Sequence, residues 1–303
     1  MIEFDKRQIG PMLIGADGEA FDSGDFIYEL KWDGERCLAY LDPADGTELR
    51  NKRNLKMLPK VPELAGIHRQ VRKKCILDGE LTIMKDGRPD FYEIQKRSLT
   101  ANSFKIQLAS KQYPASFVAF DILYYDGEDL TMLPLMERKE YLKKAVVTEN
   151  ARLAISRYVP DKGCSLYLLT KQQNLEGIVA KRKDSIYLAG KRTKDWIKIK
   201  NLKDDDFVVC GYIYKENHMV SLVLGQYDGN QLVYKGHVTL GVGGEDFELI
   251  RSKKSAASPP FEVPSGNEEA IWILPELVCT VKFMDYNANG GMRQPVFKGL
   301  RFD

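Results

Sequence analysis

Histidine is scarce in this sequence. Only His68, His218 and His237 occur in 303 residues, which leaves little material for a histidine metal cluster or a histidine-centred triad. The five cysteines (Cys37, Cys75, Cys164, Cys210 and Cys279) include no C-x-x-C pair. That argues against a zinc site or a disulfide framework, and for reduced, mostly buried thiols in a cytosolic protein. No apolar run approaches the ~20 residues of a membrane helix, and the opening "MIEFDKRQIGPML" lacks the apolar stretch of a secretory signal. There is no G-x-x-x-x-G-K-[ST] run and no H-R-D or D-F-G, so the P-loop and protein-kinase solutions to phosphate handling are excluded.

What is present is ordinary in amount and uneven in distribution. Hydrophobic residues make up 44% and charged residues 29%, as in a soluble globular chain long enough for two cores. The net charge of +2 hides an asymmetry: residues 204–303 carry 9 Lys+Arg against 14 Asp+Glu, and residues 1–203 carry 36 against 29. A basic first two-thirds fits a phosphate-rich ligand or nucleic acid, and fits an ordinary solvated surface equally well.

The run "NLKDDDF" (201–207) marks a boundary. Before it, strands mix with helices such as 135–147 and 165–174. After it come the short apolar runs "FVVCGYIY", "VSLVLGQY", "QLVYKGHV" and "LVCTVKFM", with one helical stretch, "EDFELIRSKKS", and a proline-rich connector at 255–266. About five short strands and one helix in a hundred residues fit an OB-type barrel, with an SH3-like or other small barrel as the alternative.

In "FIYELKWDGERCLAYLD" (26–42), the alternation of Phe26, Tyr28 and Leu30, then Cys37 to Leu41, reads as two strands. Asp33-Gly34 between them reads as the turn of a hairpin. Lys31 then stands at a strand end where a core residue is expected. Four further stretches repeat the pattern of charge at a strand end or along one face. Asp78 and Glu80 flank a glycine in "CILDGELTIM", and Asp121 sits in the aromatic-rich "FVAFDILYYDG". Glu176 opens "EGIVAKR", which ends with Lys181, and in "DWIKIKN" Trp196, Lys198 and Lys200 share one face while Ile197 and Ile199 take the other. Buried charge is costly unless paired or used. Cations and carboxylates converging from strand ends suit a nucleoside triphosphate and a hard metal ion.

At this point the motifs resemble those of the covalent nucleotidyltransferases, the superfamily of ATP-dependent DNA ligases, RNA ligases and capping enzymes. K-x-D-G-x-R at Lys31–Arg36 resembles motif I, "DGE" at 78–80 motif III, "FD" at 120–121 motif IIIa, "EGIVAK" at 176–181 motif IV, "WIKIK" at 196–200 motif V, and "RQPVFKGLRFD" at 293–303 motif VI. Six in order across nearly the whole chain are specific. The run 176–200 is most similar to ATP-dependent DNA ligases, particularly the ligase module of bacterial ligase D. The resemblance implies an α+β adenylyltransferase domain, ATP-grasp-like, over 1–203, followed by an all-β OB-fold over 204–303.

It also implies roles. Lys31 is the nucleophile toward the α-phosphate of ATP, forming a lysyl-AMP. Glu29 helps read adenine and Phe120 stacks on it. Arg36, Arg53 and Glu80 contact ribose and phosphates; Arg192, Lys198 and Lys200 grip phosphate. Glu176 is the ligand of Mg²⁺ or Mn²⁺, with Asp33 beside it. The implied substrate is nicked or broken duplex DNA, joined in repair or recombination by a cytoplasmic, nucleoid-associated monomer, with a Ku-like end-binding protein as partner and no membrane. Two departures stand out: motif Ia reads Lys52-Arg53-Asn54-Leu55 in place of S-R-N-G, and motif VI stops at Asp303 where the family continues to a lysine. The rivals are an RNA ligase or capping-type enzyme, and a non-catalytic OB-type binder.

Overall fold

The computed structural model describes residues 2–216, 219–286 and 290–301; His218 and the final Phe302-Asp303 of the motif VI run lie outside them. The chain divides into two units, Met1–Asn201 and Leu202–Asp303.

In the first unit the strands follow as β1 (Leu13–Asp17), β2 (Ser23–Leu30), β3 (Glu35–Asp42), β4 (Gly46–Asn51), β5 (Cys75–Lys85) and the short β6 (Arg88–Pro89). Two helices come next, α1 (Phe91–Leu99) and α2 (Ser103–Gln112). Then follow β7 (Ala115–Tyr125), β8 (Glu128–Asp129), α3 (Leu135–Ala145), β9 (Leu153–Ile155) and β10 (Tyr158–Asp161). Helix α4 (Gly163–Gln172) precedes β11 (Gly177–Arg182) and β12 (Arg192–Lys200).

These strands build two sheets. One has the order β1-β12-β11-β2-β10; the other runs β4-β3-β5-β7-β8, with β6 on β5 and β9 on β7. Phe120, Leu38 and Ile76 of the second sheet pack with Val179 and Trp196 of the first in a shared core. The outer face of the first sheet, Tyr28, Ile178, Ala180 and Ile199, takes Leu166 and Tyr167 of α4. The period-two reading of "DWIKIKN" holds: Ile199 faces that outer cluster and Trp196 the core between the sheets.

The expected hairpin does not form. β2 pairs with β10 and β11, while β3 pairs with β4 and β5, so Lys31–Gly34 carries the chain from one sheet to the other. Asp-Gly signals a two-residue turn only when nothing else needs the glycine. Here a Cβ on Gly34 would lie 2.1 Å from the backbone oxygen of Leu81, and no positive φ is required of it. The glycine serves close approach of two strands, not a turn.

The second unit holds β13 (Lys203–Tyr214), β14 (Val220–Asp228), β15 (Gln231–Val238), α5 (Gly244–Ser252), β16 (Ile271–Phe283) and β17 (Val296–Arg301). Its order is β15-β14-β13-β16-β17, and a parallel bridge between Leu240 and Val296 joins the two ends. That closure makes it the expected OB barrel. Phe207, Leu222, Leu277, Val281 and Phe297 fill its interior, with Ile250 of α5 packed in.

Replacing Gly34 with alanine forces Leu81 and the crossing apart. Chemical denaturation of Gly34→Ala is expected to show a loss of about 2 kcal/mol or more, the scale of overpacking a filled site. Wild-type stability would remove the close-approach explanation.

Candidate active site

The cleft between the two sheets is lined from both. Ile14 comes from β1, Glu29 and Leu30 from β2, Arg36 from β3, Glu80 from β5 and Phe120 from β7. Val179 and Lys181 of β11 and Trp196 of β12 complete it, with Lys31 and Trp32 of the crossing at its edge. The space among these side chains, counted together with the solvent at its open mouth, is about 390 Å³.

Lys31 is held at the crossing by three contacts on the crossing itself. Its N–H donates to Gly177 O at 2.9 Å. Its Nζ lies 2.6 Å from Glu176 Oε1, and the next residue, Trp32, donates through Nε1 to Ser156 Oγ at 3.2 Å. Gly177 has φ +133°, and a Cβ there would meet Ile199 O at 2.2 Å. Glycine after Glu176 therefore lets the carboxylate end its strand beside Lys31. Burial pushes the Glu176 carboxyl above its usual range; the Lys31 ammonium opposes this and the Asp33 charge adds to it.

Glu80 is half buried by surface yet enclosed by protein, and burial pushes its carboxyl up to about 8, against the pull of Arg36 and Lys31. Arg36 is tied down: Nε and Nη2 donate to the two oxygens of Asp78 at 2.6 Å each. Its guanidinium lies 4.4 Å from the Phe120 ring centre. Tyr187 Oη also donates to Asp78, at 2.6 Å.

Glu29 is 1% exposed. Lys139 of α3 donates to its Oε1, and Lys181 Nζ lies 3.3 Å from Oε2. Lys139 also donates to Phe120 O at 2.6 Å. Lys181 sits 4.3 Å from the Phe120 ring centre and 4.2 Å from that of Trp196, and burial brings its ammonium down to about 8 despite Glu29. Asp121, by contrast, is fully buried and bidentate with Arg138 at 2.8 Å; that pair is scaffold.

The other expected residues fall farther out. Lys198 Nζ pairs with Asp17 at 3.2 Å. Lys200 is partly buried, and desolvation, Lys198 and Lys31 together lower its pKa. Arg192 is exposed, and its Nη1 donates to Ile14 O at 2.6 Å. Arg53 lies in the exposed turn after β4. Neither lines the cleft. Of the residues that line it, Ile14 and Leu30 lie outside every quoted motif, and Trp32 and Val179, inside the motif I and motif IV runs, were assigned no role. Nor did Lys139, which reaches Glu29 from 110 residues away.

The donor chemistry can be tested against an ATP-and-metal site. Phe120, Trp196 and Trp32 line the cleft, with Arg36 and Lys181 packed against the Phe120 and Trp196 rings and Lys31 at its edge. The described residues hold no group of three or more His, Cys, Asp or Glu placed for a metal ion. Glu176 and Glu80 are hard oxygen donors close enough for each to feel the other's charge. Two carboxylates completed by phosphate oxygens are a usual arrangement for Mg²⁺. The residues fit an ion shared with a triphosphate, not a cage of protein ligands alone.

Two sheets closing on a strand-end lysine, followed in sequence by an OB barrel, form the architecture of a covalent nucleotidyltransferase. The model described as "ATP dependent DNA ligase domain" matches residues 14–200, and that described as "ATP dependent DNA ligase C terminal region" matches 215–303; the chain belongs to the ATP-dependent DNA ligase family. It is similar to the multifunctional non-homologous end joining protein LigD of Pseudomonas aeruginosa, 31% identical over 299 residues, covering 92% of this chain and 34% of that protein. The chain thus spans about a third of the length of that relative. The SPbeta prophage-derived DNA ligase-like protein LigB of Bacillus subtilis is 27% identical, covering 97% of this chain and 99% of that protein. Among solved structures, mycobacterial DNA ligase D complexed with ATP and MES superposes with TM-score 0.58 at 26% identity, covering 100% of this chain and 97% of the other.

The raised Glu80 carboxyl sets a pH prediction for folding in metal-free buffer. The folded state keeps the proton up to about 8, whereas an unfolded glutamate releases it near its ordinary value of ~4.3. Between those values the unfolded chain binds fewer protons, so stability falls as pH rises. Glu80→Gln is expected to match wild type near pH 4 and to become progressively more stable than it toward pH 8. Parallel stability curves for the two proteins across that range would show that Glu80 ionises normally.

Proposed function

We propose that this chain seals nicks or breaks with 5′-phosphate and 3′-hydroxyl ends in duplex DNA, through adenylation of Lys31. The observation that carries this is Lys31 Nζ at the inter-sheet crossing, 2.6 Å from Glu176 and at the edge of the ring-lined cleft. A protonated lysine is no nucleophile, so the ammonium must first release its proton. Glu176 Oε1 stands at hydrogen-bond distance to receive it, and burial has already raised its basicity. Lys31 Nζ then bonds to the α-phosphorus as the bond to pyrophosphate breaks. The AMP passes to the 5′-phosphate at the nick, and the 3′-hydroxyl displaces AMP to close the strand.

The remaining roles are those the motif resemblance implies. Phe120 takes the base, and Glu29, fixed between Lys139 and Lys181, sets the polar edge it meets. Arg36 and Lys181 face ribose and phosphate; Lys198, Lys200, Arg192 and Arg53 reach phosphates from the rim. Preorganised cations around a transferring phosphoryl group supply the largest share of such catalysis. Mg²⁺ or Mn²⁺ would be held by Glu80 and phosphate oxygens, and by Glu176 whenever that carboxylate is not carrying the Lys31 proton, and would supply Lewis-acid polarisation. The similarity to LigD, named for non-homologous end joining, supports a place in end joining; a Ku-like end-binding partner belongs to this proposal from the motif resemblance alone. No described helix is long and apolar enough to cross a membrane.

Lys31→Ala is expected to form no protein–AMP adduct with ATP and Mg²⁺, read by intact mass, and still to seal a nick already carrying 5′-AMP, more slowly. An AMP mass shift on that variant sinks the assignment. Glu176→Ala is expected to lose about a hundredfold or more in adduct formation with its fold retained by circular dichroism. Undiminished activity across a Mg²⁺ titration removes Glu176 from the site. Parallel assays with GTP and with nicked RNA separate the capping and RNA-ligase rivals.

A further inference from the structure

The corner formed by α1 and α2 presents an unusual surface. Leu99 is 80% exposed, Phe104 73% and Leu108 57%. Phe104 and Leu108 stand four residues apart on one outward stripe of α2, while Ile106 alone turns inward and is buried. Large apolar side chains scattered singly need no explanation; three at one corner do.

The charge around them is mostly of one sign, with Glu93 of α1 and Glu48, which holds Arg50, as the neighbouring acids. Residues 94–120 contain four Lys or Arg and no Asp or Glu, and residues 50–60 contain five and none. Lys96, Lys105 and Lys111 are exposed beside the apolar stripe. The two segments meet: Lys60 Nζ donates to Thr100 O at 2.5 Å, and Glu35 accepts from Asn51 of one and Ser98 of the other. The acids packed beneath are turned inward, Glu35 in those bonds and Glu63 with Arg97 at 2.8 Å. With Arg97 and Arg50 taken up by Glu63 and Glu48, the exposed cations left beside the stripe are Lys96, Lys105 and Lys111. Glu35 opens β3, directly before Arg36 of the cleft, so this corner borders the site.

We infer that the α1–α2 corner is a docking surface for duplex DNA flanking the nick, with Lys96, Lys105 and Lys111 on the phosphate backbone and Leu99, Phe104 and Leu108 against sugars and groove edges. The inference rests on the proposed ligase function. A polyanion is the occupant that a face carrying an excess of exposed lysines selects. Apolar side chains among phosphate-binding lysines are a recurring way to seat a protein in a DNA groove. A basic apolar helix face also suits an acidic protein partner, and the test separates the two.

Two variants, both at exposed positions, are measured as the full chain on a nicked duplex: Leu99→Ser/Phe104→Ser/Leu108→Ser and Lys105→Glu/Lys111→Glu. Both are expected to form lysyl-AMP at the wild-type rate, which reports an intact fold and site. The triple variant is expected to bind the nick about tenfold more weakly. The charge reversal is expected to lower the slope of log affinity against log salt by about 2, one for each phosphate contact removed. Wild-type affinity and slope in both variants, with adenylation intact, overturn the inference and leave the corner to a protein partner. If the wild-type protein itself fails to bind or seal nicked DNA, the ligase function falls first, and this surface with it.

Discussion

The close approach of two backbones at Gly34 governs the rest of the first unit. With no side chain there, Leu81 O can sit where a Cβ would be, and the chain passes from one sheet directly into the other. Lys31 is thereby placed at the seam and not on either sheet's face. Its neighbours then follow from ladder register: β3 sets Arg36 opposite Glu80, and β11 sets Lys181 opposite Trp196. A bulge between Asp78 and Gly79 relaxes the β5–β7 ladder where Gly79, too, has no room for a Cβ beside Val118 O.

Helix α3 secures this seam from one side. Successive residues, Arg138 and Lys139, reach inward and are both fully or nearly fully buried. Arg138 grips Asp121 of β7 and accepts two more anchors, donating to Leu133 O and Ser185 O. Lys139 bridges Glu29 of β2 and the carbonyl of Phe120 on β7, one strand from each sheet. Buried ion pairs add little net stability, because desolvation offsets most of their attraction. Their value here is geometric: each is satisfied only when both sheets are in register with the helix.

Sequence patterns were informative where chemistry repeats and weak where packing decides. The charged strand ends were legible because a lysine or carboxylate closing an apolar run is costly without a use, and the barrel was legible from its evenly spaced short strands. The hairpin reading at Asp33-Gly34 failed because a dipeptide signal carries no information about what the glycine faces. Helix α1 was overlooked although Asp90 accepts from the N–H groups of Tyr92 and Glu93, a cap that D-x-x-E spells out. The apolar lining, Ile14, Leu30 and Val179, looks like any core residue until two sheets are set face to face. Lys139 looked like one charge among several on an amphipathic helix; only tertiary distance reveals its partner.

The first sheet draws β1 and β2 from the start of the unit and β10, β11 and β12 from its end. Between them lie over a hundred residues that build the other sheet. During synthesis, β1 and β2 therefore leave the ribosome without the strands that will pair with them, and must wait with open edges. Synthesis at ~5–20 residues per second makes that wait several seconds or more. The second sheet can close on itself in the meantime, but the cleft has only one wall until Lys200 has emerged. The newborn chain acquires its fold in two instalments and its cleft only with the second.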